Sequence, residues 1–373
     1  MTDRFFLTLF RGLFLAGILL AASAPAPARA ADAFEVSGVA VDVTADTAAA
    51  ARKTALAGGE RTAFYRLLRR MTLLADRDRL PDLGDDEIAA FVQDLEVTQE
   101  KTSSVRYLAS LNFRFKREAV RGFLIDNYLP FAETKSKTVL VLPVYESAGA
   151  LLLFDDPNPW RNAWEERSAV RGLVPMVLPR GDLADIAVIG AEQALDGDAQ
   201  RLRAIAGRYG AYETLVVHGI HRLDASGLPK MEVYATRFSP FQSEQTIVKT
   251  YEGRKGEDTK SLLIRAAKGT AALVEDAWKR DNLLQFDKRN VIAVRVLIGG
   301  LNDWLGIKKR LDGVAVVRRV ELVLLSLNEV RINLHYIGSQ EQLSLALEQV
   351  DMTLTPAGDG WTLALEKVAT GKP

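Results

Sequence analysis

Apolar and polar positions alternate in the first third of the chain in a way that predicts a small sheet covered by helices. Residues 105–115 alternate large apolar side chains with Arg, Ser and Asn, which is typical of a half-buried strand. Apolar residues at helical spacing up to Met71 predict a long helix, in which Gly58-Gly59 favours close packing on a strand. The amino-terminal α/β module, predicted at 31–132 with the order β-α-α-β-β-α, comprises a strand at 34–43, helices at about 46–71 and 85–92, strands at 94–101 and 105–115, and a helix around Val120.

The middle of the chain opens with a continuous apolar run, Val139–Val144, which is typical of a strand covered on both faces. Asn158 and Pro159 are suited to be the N-cap and first residue of a helix. That helix carries Trp160 and Trp164 on one face, because they are four residues apart. The central α/β domain, predicted at 138–282, further contains a helix ending near Tyr209, strands at 214–220, 231–238 and 245–251, and a helix at about 258–280.

The last part of the chain, 290–367, has a pattern of strands and helices in the order β-α-β-β-α-β, with one more strand at 361–365. This order predicts a ferredoxin-like module. The fold class is therefore α/β (α+β) with three modules. Two polar and charged segments, 133–137 and 281–289, are predicted as exposed linkers between them.

The first thirty residues have the pattern of a secretory signal peptide. A short basic start is followed by the apolar run 13–20 and by small residues ending Ala28-Arg29-Ala30. This run is shorter than the roughly 20 residues that span a bilayer, so an uncleaved anchor is the less favoured alternative. We expect export to the periplasm as a soluble protein, with cleavage after Ala30.

Composition and charge narrow the possible partners. The chain has no cysteine, so it can carry neither a disulfide nor a lipid anchor attached to a cysteine at the cleavage point. Removing residues 1–30 takes away Asp3 and three arginines, which leaves 47 acidic and 45 basic side chains and a net charge of −2. Because phosphate binding needs a basic face, this balance argues against nucleic acid. It also offers no overall attraction to anionic lipid, although local patches remain possible.

Three stretches resemble known families. The sequence AAAARKTALAGGERTAFYRLL after the first strand is similar to the amino-terminal domain of the flagellar assembly protein T. RLRAIAGRYGAYETLVVHGI resembles a helix-strand unit of the TolB amino-terminal domain and of curli-assembly lipoproteins. Together with NPWRNAW, these features resemble a proteobacterial envelope family defined by a domain of unknown function, over most of the chain after the signal peptide. The resemblance implies a TolB-like central domain and a role in envelope assembly.

The second module holds the candidate binding residues. Trp160 and Trp164 could form an aromatic platform for a partner, or could pack into the domain core. We expect Trp164 to be buried and Trp160 to lie at the rim of a groove beside Asp155 and Asp156. That acidic pair could supply oxygen ligands to a cation, but as solvated residues near a helix start they need no such role. Trp304 is expected to be buried.

Catalytic and metal-binding motifs are absent from the sequence. His218 and His221 are three apart on a predicted strand, so they face opposite sides and cannot easily share a metal. We therefore expect no catalytic residues, no metal and no cofactor. The favoured function is a non-catalytic binding or assembly factor for an envelope protein or periplasmic complex. An envelope hydrolase and a small-ligand receptor with a cleft between modules are the alternatives, and an exposed tryptophan or sheet edge would favour partner binding.

Overall fold

The computed structural model describes residues 33–167, 172–225, 227–239, 244–286, 288–358 and 360–365. Within these ranges the chain is a mixed α/β protein with three sheets and eleven helices, which confirms the predicted fold class at that level. The predicted signal peptide, Met1–Ala30, lies outside the described residues. None of the described helices is both long and apolar enough to cross a membrane.

The first sheet is antiparallel, with strand order β1-β3-β2. Its elements are β1 (Glu35–Thr44), α1 (Ala48–Met71), a 3-10 helix (Leu74–Arg79), α2 (Asp85–Phe91), β2 (Val92–Thr102), β3 (Arg106–Phe115) and α3 (Arg117–Asp126). Helix α1 packs closely on β3, because a Cβ on Gly59 would lie only 2.6 Å from Cδ1 of Leu111. The predicted close approach of this helix to a strand is thus confirmed at Gly59.

The second sheet is mixed, with strand order β5-β4-β7-β8-β9 and β6 beside β4. Its elements are β4 (Val139–Ser147), β5 (Ala150–Leu152), α4 (Pro159–Glu166), β6 (Met176–Val177), α5 (Leu183–Val188), α6 (Ala191–Leu195), α7 (Ala199–Arg208), β7 (Glu213–Leu223), β8 (Pro229–Phe238), β9 (Gln245–Glu252) and α8 (Thr259–Asp281). Strand β4 is buried on both faces, as predicted. Leu140 and Leu142 face a core shared with α7, whereas Val139 and Val141 face the core shared with α4 and α8.

The third sheet has strand order β11-β12-β10-β14-β13. Its elements are β10 (Arg289–Leu297), α9 (Leu301–Leu311), β11 (Val317–Leu325), β12 (Glu329–Ile337), α10 (Gln340–Glu348), β13 (Met352–Ala357) and β14 (Gly360–Leu365). The antiparallel pairs β11-β12 and β12-β10 agree with a ferredoxin-like sheet.

The last strands depart from that arrangement. A ferredoxin-like sheet places the strand that follows the second helix beside the first strand. Here β14 takes that place and runs parallel to β10, while β13 lies outside it. The reason is the hairpin formed by β13 and β14, which folds its second strand back between β10 and β13.

Helix α8 connects the first two sheets through buried polar contacts. Lys279 donates from Nζ to the carbonyl of Thr72 at 2.5 Å, and Oδ1 of Asp276 accepts from the amide of Leu74 at 2.6 Å. Both side chains are almost fully buried. Because a buried polar group that loses its partner is costly, these contacts fix α8 against the end of α1.

Of the two segments predicted as linkers, 133–137 is largely buried, whereas 281–289 is buried only in part. Within 133–137, Glu133 lies in the interior and accepts a hydrogen bond from Nε of Arg121 at 2.9 Å. In the described part of 281–289, Leu284 is buried. One apolar core extends across all three sheets, and segment 133–137 passes through the interior, whereas Asp281, Lys288 and Arg289 are exposed. The prediction of a hydrated linker was therefore wrong for 133–137, where Glu133 is paired inside the protein.

Candidate functional site

The two tryptophans of α4 are core residues. Asn158 is the N-cap, since its side chain accepts from the amide of Arg161 at 3.0 Å, and Pro159 begins the helix as predicted. Trp160 is 0% exposed and Trp164 is 1% exposed. Their rings meet edge to face, with centroids 5.8 Å apart. The predicted position of Trp160 at a groove rim is therefore wrong: the four-residue spacing placed both rings on one face, and α8 and the second sheet cover that face.

Asp155 and Asp156 lie in the exposed loop before α4. Oδ2 of Asp155 accepts a hydrogen bond from the amide of Leu153 at 3.2 Å, a contact within the loop itself. Trp160 points away from them into the core, where its Nε1 donates to the carbonyl of Val217 at 3.0 Å. The structure therefore does not bring the acidic pair and the tryptophans together in one groove.

His218 and His221 make separate contacts, as expected for residues three apart on a strand, which face opposite sides. Nε2 of His218 lies 2.8 Å from Oε2 of Glu146, while the ring of His221 stacks on Tyr145. Burial lowers the pKa of His221, which favours the neutral ring. Across the described ranges, no group of three or more His, Asp or Glu residues could hold a metal ion.

A carboxylate with a raised pKa, Glu275, lies on α8. Burial raises the pKa of Glu275, and the nearby cations Lys279, Arg70 and Arg167 partly oppose that change. The carboxylate also lies so close to the backbone that a Cβ on Gly172 would meet its Oε1 at 1.6 Å.

A cleft of about 370 Å³ lies between α7 and the strands β7 and β8. Leu202, Ala206 and Phe238 supply much of its apolar wall. Glu213 lies at its edge, but Arg237 already engages this carboxylate through Nε at 2.5 Å. The cleft belongs to the second sheet alone and is not the cleft between modules that a receptor hypothesis predicted.

The third sheet carries the densest group of exposed apolar side chains. Eight of the eighteen large apolar side chains exposed in the described ranges fall within residues 297–327. We call these eight the apolar tip: Leu297, Leu301, Leu305, Leu322, Val323, Leu324, Leu325 and Leu327. Leu327, in the turn between β11 and β12, is 92% exposed.

Backbone pairing places the members of the apolar tip at one end of the module. Leu325 at the end of β11 pairs with Val330, and Leu297 at the end of β10 pairs with Glu329. The amide of Ile298 donates to the carbonyl of Asn328 at 3.1 Å, so the β11-β12 turn lies beside the end of β10. Helix α9 begins three residues later, which brings its first turns to the same end.

The apolar tip has side chains on both faces of the sheet. Leu322 pairs with Ile332, a buried residue on the face covered by helices. Leu324 pairs with Arg331, on the opposite, open face, where Arg331 is itself paired with Arg295 of β10. Strand β11 is an edge strand, so one of its two edges has no neighbouring strand in the described sheet.

The sequence contained a signal for this surface that was open to another interpretation. Four consecutive apolar residues, Leu322–Leu325, are typical of a strand covered on both faces. The same run in Val139–Val144 is indeed covered on both faces, because α4 and α8 pack on one side of β4 and α7 packs on the other. Whether such layers cover a strand follows from long-range packing, which periodicity does not reveal.

Comparisons with known proteins give no counterpart: no family model, no curated protein and no solved structure matches this chain.

Proposed function

We propose that this chain is an exported periplasmic protein that binds or organises another component of the cell envelope, without catalysing a reaction. The observation that carries the proposal is the apolar tip, since an exposed apolar patch at a sheet edge marks an interaction surface. The likeness of the sequence to envelope and assembly families supports the same class of function. We also propose a TolB-like origin for the second sheet on that basis.

The proposal of export with cleavage after Ala30 is supported by the position of the first core residues. The predicted cut after Ala30 precedes Ala33 by three residues. The carbonyl of Ala33 accepts a hydrogen bond from Nη1 of Arg70 at 2.9 Å, and Phe34 is buried. Cleavage at that point would leave the core intact. Amino-terminal sequencing of the protein recovered from the periplasm should begin at Ala31, whereas an intact Met1 would contradict export with cleavage.

The enzyme and receptor alternatives have less support from the geometry. Glu275, the carboxylate with the raised pKa, is packed against Gly172 between elements. In the cleft beside α7, Arg237 already neutralises Glu213. By contrast, nothing in the described ranges covers the apolar tip, and this exposure needs a reason in a protein that remains dispersed.

Site-specific photo-crosslinking in intact cells tests the proposed surface. A photoreactive amino acid is placed at Leu324 in the apolar tip and, as a matched control, at Val248 on β9, which is also an exposed apolar residue of an edge strand. We expect a discrete envelope adduct from position 324 and none from position 248. Equal adducts at both positions, or none at either, would refute the apolar tip as the functional surface.

A further inference from the structure

We propose that the apolar tip docks on a lipid bilayer that carries anionic headgroups. The inference rests on the proposed binding function and names the partner of that same surface. In this arrangement the leucines enter the boundary of the acyl region, and Arg295 and Arg331 contact lipid phosphates.

The distribution of apolar side chains favours a bilayer over a protein partner. Successive residues of a strand point to opposite faces, so the run Leu322–Leu325 exposes apolar groups on both. A protein that packs on one face leaves the other face in water. A bilayer surrounds an inserted strand end and the turn beyond it, which includes Leu327, and so removes all of these side chains from water together.

The charges beside the tip are complementary to an anionic surface. At the tip end of the module the charged side chains are Arg295, Arg331, Glu329 and, in the first turn of α9, Asp303. On the open face the two arginines outnumber Glu329. Arg295 and Arg331 are directly opposite each other on the open face, an arrangement that repels unless an anion lies nearby. Glu329 pairs with Arg331 and compensates only one of the two positive charges.

Arg295 and Arg331 also lie at a suitable distance from the apolar tip to contact lipid headgroups. Arg331 is paired with Leu324 across the sheet, so the guanidinium and the apolar side chain lie in one row of the open face. Leu297 is two residues beyond Arg295 on the same strand and the same face. Insertion of the leucines would therefore bring both guanidinium groups to the level of the headgroups, where a basic residue adds attraction to anionic lipid.

Vesicle flotation tests the inference. The chain from Ala31 onward is used, because it contains the whole continuous core and lacks the apolar run at 13–20, which could bind lipid by itself. Vesicles consist of phosphatidylcholine alone or mixed with phosphatidylglycerol. We expect the protein to float with the mixed vesicles, and to do so less as the salt concentration rises.

Three variants assign the binding to the tip. Leu324→Ser with Leu327→Ser should weaken partitioning about tenfold for each leucine. Arg295→Gln should weaken binding about fivefold, and only to the vesicles that contain phosphatidylglycerol. Val248→Ser, an exposed apolar residue elsewhere, should bind like the unmodified protein. Circular dichroism melts should be the same for all four proteins, since these positions are exposed.

Failure of the unmodified chain to float, or equal flotation of the double serine variant, overturns the lipid inference. If flotation fails while Leu324 still gives a discrete adduct with an envelope protein in cells, the partner is a protein and the proposed function stands. Concentration-dependent dimers that the double serine variant abolishes, without flotation, would identify a second copy of this chain as the occupant. Absence of both flotation and adducts removes the proposed function as well.

Discussion

The two buried tryptophans of α4 should respond differently to the same substitution. Trp160 and Trp164 are 0% and 1% exposed, and their rings contact each other edge to face. Replacing either by Phe removes the same atoms from the same core, so that part of the destabilisation nearly cancels when the two variants are compared. What differs is the indole N–H.

Nε1 of Trp160 donates to the carbonyl of Val217 at 3.0 Å, whereas Nε1 of Trp164 is buried and has no hydrogen-bond acceptor in the described structure. Trp160→Phe thus loses a bond worth about 0.5–1.5 kcal/mol, while Trp164→Phe removes an unsatisfied donor that costs about 1–3 kcal/mol. The Arg167 guanidinium lies 4.8 Å from the centre of the Trp164 ring and makes a cation–π contact with it. Trp164→Phe weakens this contact, at a cost below about 1 kcal/mol. Trp160→Phe should therefore be less stable than Trp164→Phe by about 1–4 kcal/mol.

Urea unfolding followed by far-ultraviolet circular dichroism measures this difference, since replacing a tryptophan changes the fluorescence signal itself. The two alanine variants serve as controls and should each lose about 3–5 kcal/mol, as for other large-to-small changes in a core. If Trp164→Phe is as unstable as Trp160→Phe, or less stable, then hydrogen bonding of the indole does not distinguish the two sites and the reasoning fails.

Three further predictions follow from the described contacts. Gly219→Ala should cost about 1–3 kcal/mol in urea unfolding, because the added Cβ would lie 2.1 Å from the flexible end of Met231 and 2.9 Å from the ring of Trp160. A double-mutant cycle with Trp160→Phe should show coupling, and strict additivity would contradict the close approach to the ring. Hydrogen bonds from Arg265 lower the pKa of Glu257 to about 2, so Glu257 should contribute a loss of stability as the pH falls from 4.5 to about 2. Glu257→Gln should therefore lose less stability over this pH range than the unmodified chain, and parallel acid-unfolding curves would refute it. Limited proteolysis followed by mass spectrometry should give no early cuts at 133–137 or 281–286, and early fragments ending there would show that these segments open readily.

Local patterns in the sequence were sufficient for much of the secondary structure. Strand β3 follows the alternation of residues 105–115, and α4 begins at the predicted Asn158–Pro159 cap. The apolar run Val139–Val144 correctly predicted a strand covered on both faces. These features depend on neighbours within a few residues, which is the distance over which periodicity and capping act.

The remaining features depend on partners far along the chain. The four-residue spacing predicted that Trp160 and Trp164 lie on one face of a helix. It could not predict which elements cover that face. The charged segment 133–137 resembled a hydrated linker, because its buried partner Arg121 is not recognisable from composition. The apolar tip escaped notice because the position of β11 at a sheet edge is fixed by pairing and not by its own residues. The surface that carries the proposed function was therefore the least predictable part of the chain.

The contacts of α8 also determine when the first sheet can complete its packing. The hydrogen bonds from Lys279 to Thr72 and from Leu74 to Asp276 join residues 207 and 202 positions apart. At a synthesis rate of about 5–20 residues per second, the first sheet waits about 10–40 s for its partner helix to be made. During that interval the end of α1 lacks these bonds, and such long-range closure also slows folding. The order of synthesis therefore sets a minimum time before the first sheet can make its contacts with α8, because residue 281 of 373 must be made first.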